Sequence, residues 1–271
     1  MIELLPRHKT GLPLASPVMI AAGFAGFGDA WQRLLDLSVF GAVVTQPVTL
    51  RPQRGLPQPR LAELEGGLIL NTGGQNPGVK KVLSGYSRLW GRLPTRVIAH
   101  LPAARPDDLQ RTARALAGNA PLAALELDIP PHAHPYDVAD WVAAVFGGSE
   151  LPLLARLPFS AAPEIVEAAV AAGVDGLVIS APPEGAAETS EGQLVVGSFF
   201  GRAAHPLALA QVQVIARGFD VPLVAAGGIH TTAQARALLA AGAAAVQLDS
   251  LLLQNPRRAE EIARELAAWR Q

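Results

Sequence analysis

Cysteine is absent from the 271 residues, which excludes disulfides, thiolate metal sites and cysteine nucleophiles together. An excess of either charge is also missing. Twenty-two basic residues stand against 23 acidic ones, for a formal net charge of −1. Without a basic excess or a polybasic stretch, the chain carries no electrostatic footprint for nucleic acid or for an anionic membrane. No uninterrupted apolar stretch reaches the roughly 20 residues that span a bilayer. The segment MIELLPRHKTGLPLASPVMI lacks the charged-then-apolar order of a signal peptide, so a soluble cytoplasmic protein is the expectation. Lysine is confined to Lys9, Lys80 and Lys81. Only 17% of the residues are charged while 50% are hydrophobic, a balance that excludes a disordered chain. No linker interrupts the sequence, and a single domain over residues 1–271 is the simplest division.

What is present is alternation. Eight short apolar runs recur: PVMIAA from Pro17, GAVVT from Gly41, RVIAH from Arg96, LAALELD from Leu122, LLARL from Leu153, DGLVIS from Asp175, VPLVA from Val221 and AAAVQL from Ala243. Most are continuously apolar, as parallel strands covered on both faces are. Each is expected to lead into a helical segment. Pro106 to Leu116 opens with a proline and two aspartates, Thr231 to Ala241 has a threonine at the N-cap and Gly242 as its stop, and Tyr136 to Phe146, Ala162 to Ala172 and Arg257 to Trp269 complete the series. Eight such units predict a single α/β domain, a (β/α)₈ TIM barrel, whose site lies at the C-terminal ends of the strands. A doubly wound open sheet is the alternative, but it suits six strands better. The glycine-rich Gly23–Gly28 segment also lacks GxGxxG spacing.

Several strand ends carry polar residues that an apolar barrel does not need. Ala225-Ala226-Gly227-Gly228-Ile229-His230-Thr231 joins the seventh run to a helix, and Asp249-Ser250 ends the eighth. Exposed amides at a helix N-terminus make a phosphate cradle, and a tight turn with no ligand is the other possibility. Asp249 opposes a phosphate. Asn71 and Asn76, in LNTGGQNPG, offer paired donors and acceptors to a planar heterocycle, or else close Asx turns. Arg156 sits in an apolar strand and should turn into the barrel mouth toward an anion, an electron-rich ring or Asp128, with Glu126 on the same strand face as Asp128. His132 and His100 are candidates for acid–base work or for rim hydrogen bonding. His132 and His134 lack a third ligand at motif spacing, and no metal site is expected. Tyr86 and Trp90 are expected to pack against the barrel.

In order along the chain, Leu14-Ala15-Ser16-Pro17-Val18-Met19, Gly41 to Leu50, Pro59-Arg60, Leu70-Asn71, Gly74-Gln75-Asn76-Pro77-Gly78, Ala225-Ala226-Gly227-Gly228-Ile229 and Ala243 to Gln247 form a pattern that resembles the dihydroorotate dehydrogenase family. Its members are FMN-dependent (β/α)₈ barrels, and the likeness is closest to the soluble class. The resemblance implies flavin contacts at Gly23, Gln46, Arg156, Gly227, Gly228, Ile229 and Ser250, and substrate contacts at Asn71, Asn76 and Asp128. It also implies a small-molecule substrate or ligand and a homodimer.

The departures fall on the chemistry. Gln46 stands where the family has a lysine beside the flavin, and Arg156 replaces a second lysine while keeping its charge. Pro131 occupies the position of the family's cysteine or serine base, Asp128 and Ala133 replace orotate-binding asparagines, and Asp249-Ser250 replaces Gly-Thr at the phosphate. Phe199 and Phe200 fill the centre of a glycine-rich loop. These changes point to a divergent flavoprotein oxidoreductase that does not act on dihydroorotate, with His132, next to the lost base, as the substitute acid–base residue. The alternative is a non-catalytic or flavin-free barrel that serves as a binding module.

Overall fold

A computed structural model describes residues 1–159 and 161–268. The eight apolar runs form eight parallel strands: Val18–Ile20, Ala42–Pro47, Arg96–Pro102, Ala124–Asp128, Leu153–Arg156, Gly176–Ile179, Leu223–Ala226 and Ala245–Leu248. They close in chain order, the eighth pairing with the first through Val246 and Val18. The (β/α)₈ barrel is therefore the fold.

Helices Val79–Trp90, Pro106–Asn119, Pro135–Phe146, Pro163–Ala171, His205–Gly218, Thr232–Ala240 and Pro256–Ala267 follow strands two to eight. Trp269, expected in the last of them, lies outside the described residues. One expectation needs correcting: the first strand is not followed by an α-helix. Turns and a 3-10 helix at Leu37–Val39 fill that interval. The indole N–H groups of Trp31 and Trp90 tie the turns down by donating to the carbonyls of Phe24 and Phe27.

Alternation along each strand sorts the side chains into two cores. Val43, Val97, Leu125, Leu127, Leu153, Leu177, Leu223 and Val246 pack with the helices. Met19, Val44, Ile98, Ala124, Leu154, Val178, Val224 and Ala245 fill the barrel, and Leu4, Leu5, Leu12 and Leu14 close its lower end. The pleat period of two then places His100, Glu126, Arg156 and Gln247 on the interior face, above the apolar filling. The strands thus end in polar groups that point inward. A four-stranded antiparallel sheet, in the order Glu184–Glu188, Leu194–Gly201, Gly67–Leu70, Leu61–Leu64, stands beside the mouth.

Leu127 is fully buried between barrel and helices. Its truncation to alanine should cost about 2–5 kcal/mol in urea denaturation. Val214→Ala, at a site 71% exposed, should stay within about 0.5 kcal/mol of the parent.

Candidate active site at the barrel mouth

A cavity of about 760 Å³ opens at the C-terminal ends of the strands. Gly23, Gln46, Asn71, Asn76, Asp128 and Arg156 all line it, together with His100. Segments up to 133 residues apart in sequence therefore converge as the barrel topology requires. Gly227 lies outside this cavity, in a slot of about 10 Å³ that shares Arg156 and is also lined by Asp249. Ile229 and Ser250 are buried in the framework behind that slot. His132 is exposed on the loop after strand four and is absent from the cavity wall, so the structure does not bring it to the other candidates.

Both asparagines carry loop geometry. Asn71 Oδ1 accepts from the Gly73 amide at 3.0 Å, and its Nδ2 donates to the Val196 carbonyl at 2.8 Å. Asn76 Oδ1 accepts from the Thr49 hydroxyl at 2.8 Å and the Gly78 amide at 2.9 Å, while Nδ2 donates to Gly74. The Asx-turn alternative is thus realised at both positions. An amide nitrogen carries two protons, so each side chain still has one to offer the cavity.

Arg156 is the central cation. Strand register sets it directly beside Asp128, yet Nη1 stands 3.9 Å from Asp128 Oδ1, a loose ion pair rather than a hydrogen bond. Arg156 Nε and Asp128 Oδ1 are both buried without a partner. Buried charged groups left open in this way are costly unless a ligand or ordered water engages them. Glu126, fully buried one layer below, accepts from His100 Nδ1 at 3.1 Å and from Gln247 Nε2 at 2.7 Å. Burial alone would raise its pKa. The hydrogen bond from His100, the Arg156 charge and the Gln247 bond outweigh that and hold it below the ordinary value. The sequence reading overlooked Gln247 as a site residue. Its signal was the same as that of Arg156: a polar side chain in an otherwise apolar strand.

At the seventh strand end, Thr231 caps helix Thr232–Ala240 through a reciprocal box with Gln234. Gly228 has φ +67°, and a Cβ there would lie 2.5 Å from the His205 amide nitrogen and 2.8 Å from the Gly201 carbonyl. Glycine is needed because the protein's own backbone closes on the cradle. The Gly228 amide donates to Asp249, whose Oδ1 also accepts from the Ser250 amide at 2.5 Å and from the Ser250 hydroxyl at 3.0 Å. Burial raises the Asp249 pKa, and these bonds and the Arg156 charge only partly oppose it. Behind the cradle, His230 is 2% exposed with both ring nitrogens unpartnered. Burial, then the charges of Arg202 and His205, depress its pKa from 6.5 to about 4.

His230 supplies a pH prediction. The native state keeps this ring neutral where the unfolded chain binds a proton, so stability rises with pH between about 4 and 6.5 and is lost as pH falls through that window. The full effect is on the order of 3 kcal/mol. His230→Asn should flatten the difference between urea unfolding free energies at pH 7 and pH 4.5. Asp249 acts in the opposite sense but is common to both proteins, so the comparison isolates the imidazole. An unchanged slope would place His230 in contact with solvent.

The family model for dihydroorotate dehydrogenase matches residues 5–269. The catalytic subunit of dihydroorotate dehydrogenase B (NAD(+)) from Alkaliphilus oremlandii is 32% identical, over 94% of this chain and 90% of its own length. The subunit of the same name from Desulforudis audaxviator is 32% identical over 96% and 90%, and that from Trichlorobacter lovleyi 31% over 95% and 90%. With its closed barrel and convergent strand ends, the chain belongs to the dihydroorotate dehydrogenase family.

Proposed function

We propose that the protein is an FMN-dependent oxidoreductase of this family, acting on a small molecule other than dihydroorotate. The observation that carries the reading is the buried Arg156 guanidinium, whose Nε has no partner at the edge of the cavity. A cation there suits the electron-rich edge of a flavin ring and favours its reduced, anionic form. Gln46 adds a neutral hydrogen-bonding group. Gly23, with φ +87° and open space where a Cβ would stand, leaves the wall clear for a flat ring. The ring end therefore fits a flavin.

The phosphate end fits only with Asp249 uncharged. Its carboxylate holds the Gly228 amide, and the slot beside it has room for about one water molecule. Like charges about 4 Å apart cost on the order of 4 kcal/mol at an effective dielectric of 20. Each charge-assisted hydrogen bond returns about 1.5–3 kcal/mol. Burial raises the Asp249 pKa and so eases the uptake of the proton that a phosphate here requires, a step that an amide at this position would not need.

When bound, FMN supplies a two-electron acceptor. The chain's own groups do the rest. Arg156 fixes the charged edge of the ring, and Asn71 and Asn76 offer their remaining amide protons to the substrate. Asp128 presents an unpartnered acceptor beside Arg156. The position next to His132 that holds the family base is Pro131, which has no proton acceptor. Asp128 and Ala133 remove two amide groups that a planar carboxylated ring would need. A dihydroorotate site is thereby dismantled while the ring site is retained.

Two measurements test this reading. FMN binding, followed by quenching of flavin fluorescence, should tighten tenfold or more in Asp249→Asn, while riboflavin, which lacks the phosphate, should bind both proteins alike. Equal effects on both ligands would mean that Asp249 does not face the phosphate, and binding of neither would leave the barrel flavin-free. Dihydroorotate should reduce a dye acceptor only at background rate. Turnover above about 1 per second would show the family reaction intact.

A further inference from the structure

We propose that His100 is the acid–base residue of this cavity, held by Glu126 so that its Nε2 exchanges a proton with the bound substrate. The inference rests on the oxidoreductase reading above and gives it the proton acceptor that Pro131 cannot supply.

The geometry comes from the strands. His100 and Glu126 are register partners on adjacent parallel strands, both on the interior face. Their side chains meet at 3.1 Å between Nδ1 and Oε1. Gln247 holds the other carboxylate oxygen at 2.7 Å from across the barrel, so Glu126 cannot turn away. A carboxylate only accepts hydrogen bonds, and the proton between the two groups therefore belongs to His100 Nδ1. That fixes the tautomer and leaves Nε2 as the free lone pair. Among the described residues Nε2 has no partner, and His100 lines the cavity. The backbone amide of His100 is anchored on Thr45 Oγ1 at 3.2 Å, so the ring is carried on a strand rather than on a loop. A nucleophile or base oriented by a carboxylate on its far nitrogen is the arrangement that makes an imidazole an effective proton acceptor.

The charged groups around the ring suit the step. Glu126 lies beneath it, and Arg156 and Asp128 face it from strands five and four. On proton uptake the imidazolium stands against Glu126, with Asp128 nearby and Arg156 opposing. The substrate class follows: a small molecule that bears an N–H or O–H next to a saturated C–H. The N–H or O–H bond breaks, its proton goes to Nε2, and its electron pair forms the new double bond to carbon. The carbon's hydrogen would leave with two electrons, for which a bound flavin of the kind proposed above would supply the acceptor. The substrate is oxidised by two electrons, and the acceptor is reduced by two.

A bland alternative is that His100 only satisfies a buried carboxylate. Diethylpyrocarbonate labelling of the whole protein, mapped by mass spectrometry, separates the two because the reagent needs a free, reachable, neutral nitrogen. His100 should be modified at least tenfold faster than His230, which is equally buried but outside the cavity. Nitrogen NMR on histidine-labelled protein should show the His100 proton on Nδ1 and none on Nε2 at neutral pH. An unreactive His100, or a ring protonated on Nε2 at neutral pH, overturns the proposal. Neither measurement needs a substituted protein, so a poorly folding variant cannot obscure the result. With any substrate found, His100→Gln should lower kcat about 10²–10⁴-fold and abolish the acidic limb of the pH profile. A loss confined to KM with the limb intact would overturn it. Flavin binding in the same samples keeps the two ideas apart. A reactive His100 without bound flavin supports the acid–base site and removes the oxidoreductase reading. Bound flavin with an inert His100 removes this inference alone.

Discussion

One guanidinium holds the upper half of this barrel together. Arg156 ends strand five inside the cylinder, and three carboxylates lie within its field: Asp128 at 3.9 Å, Glu126 one layer below, and Asp249 across the mouth. Each would be costly to bury alone. Glu126 is relieved by direct bonds from His100 and Gln247, Asp249 by Ser250 and the Gly228 amide, and Asp128 by partial exposure to the cavity. Arg156 closes none of these hydrogen bonds, so it acts through charge. Its fork remains open to an incoming ligand because Glu126 and Asp249 have other donors and Asp128 stands 3.9 Å away.

This arrangement depends on how the barrel is filled. The four leucines of the N-terminal segment seal the lower end, and small or branched apolar side chains fill the layers above. Water is excluded from below, and every polar group on the interior face is forced into the layer next to the mouth. Low surrounding polarity strengthens the His100–Glu126 contact and raises the cost of an ionised Asp249 by the same physics. One environment therefore tightens a proton-handling pair and weakens an anion site a few residues away.

The barrel was legible because each strand is an apolar run covered on both faces, a pattern that periodicity detects directly. Two helices were not legible, Val79–Trp90 and His205–Gly218. Their N-caps are Gly78 and Ala204, with no side-chain cap, and neither has an acid in its first turn. Side-chain caps and first-turn acids are missing from both, although Pro206 opens the second. The sheet beside the mouth was hidden for another reason. Two of its pairings are local hairpins, Leu61–Leu64 with Gly67–Leu70 and Glu184–Glu188 with Leu194–Gly201, but they are joined by Leu70 and Ser198 across more than a hundred residues, and no local spacing encodes that contact. The interval after strand one was misjudged because its shape comes from two indole-to-carbonyl bonds rather than from helical periodicity.

The same distinction separates the site residues that converge from those that do not. Gln46, Asp128 and Arg156 belong to strands or their ends, where the alternation of the pleat determines which way a side chain points. All three reach the cavity. His132 was favoured for its place in the sequence, next to the lost family base, but it rides on a loop that runs outward before helix Pro135–Phe146. Adjacency in sequence carries a role only where the backbone geometry is preserved with it, and Pro130-Pro131 fixes φ at both positions and removes the amide donors the loop would otherwise use. The proton acceptor proposed for this cavity comes from a strand instead. On the interior face, the imidazole that meets a fixed carboxylate is that of His100.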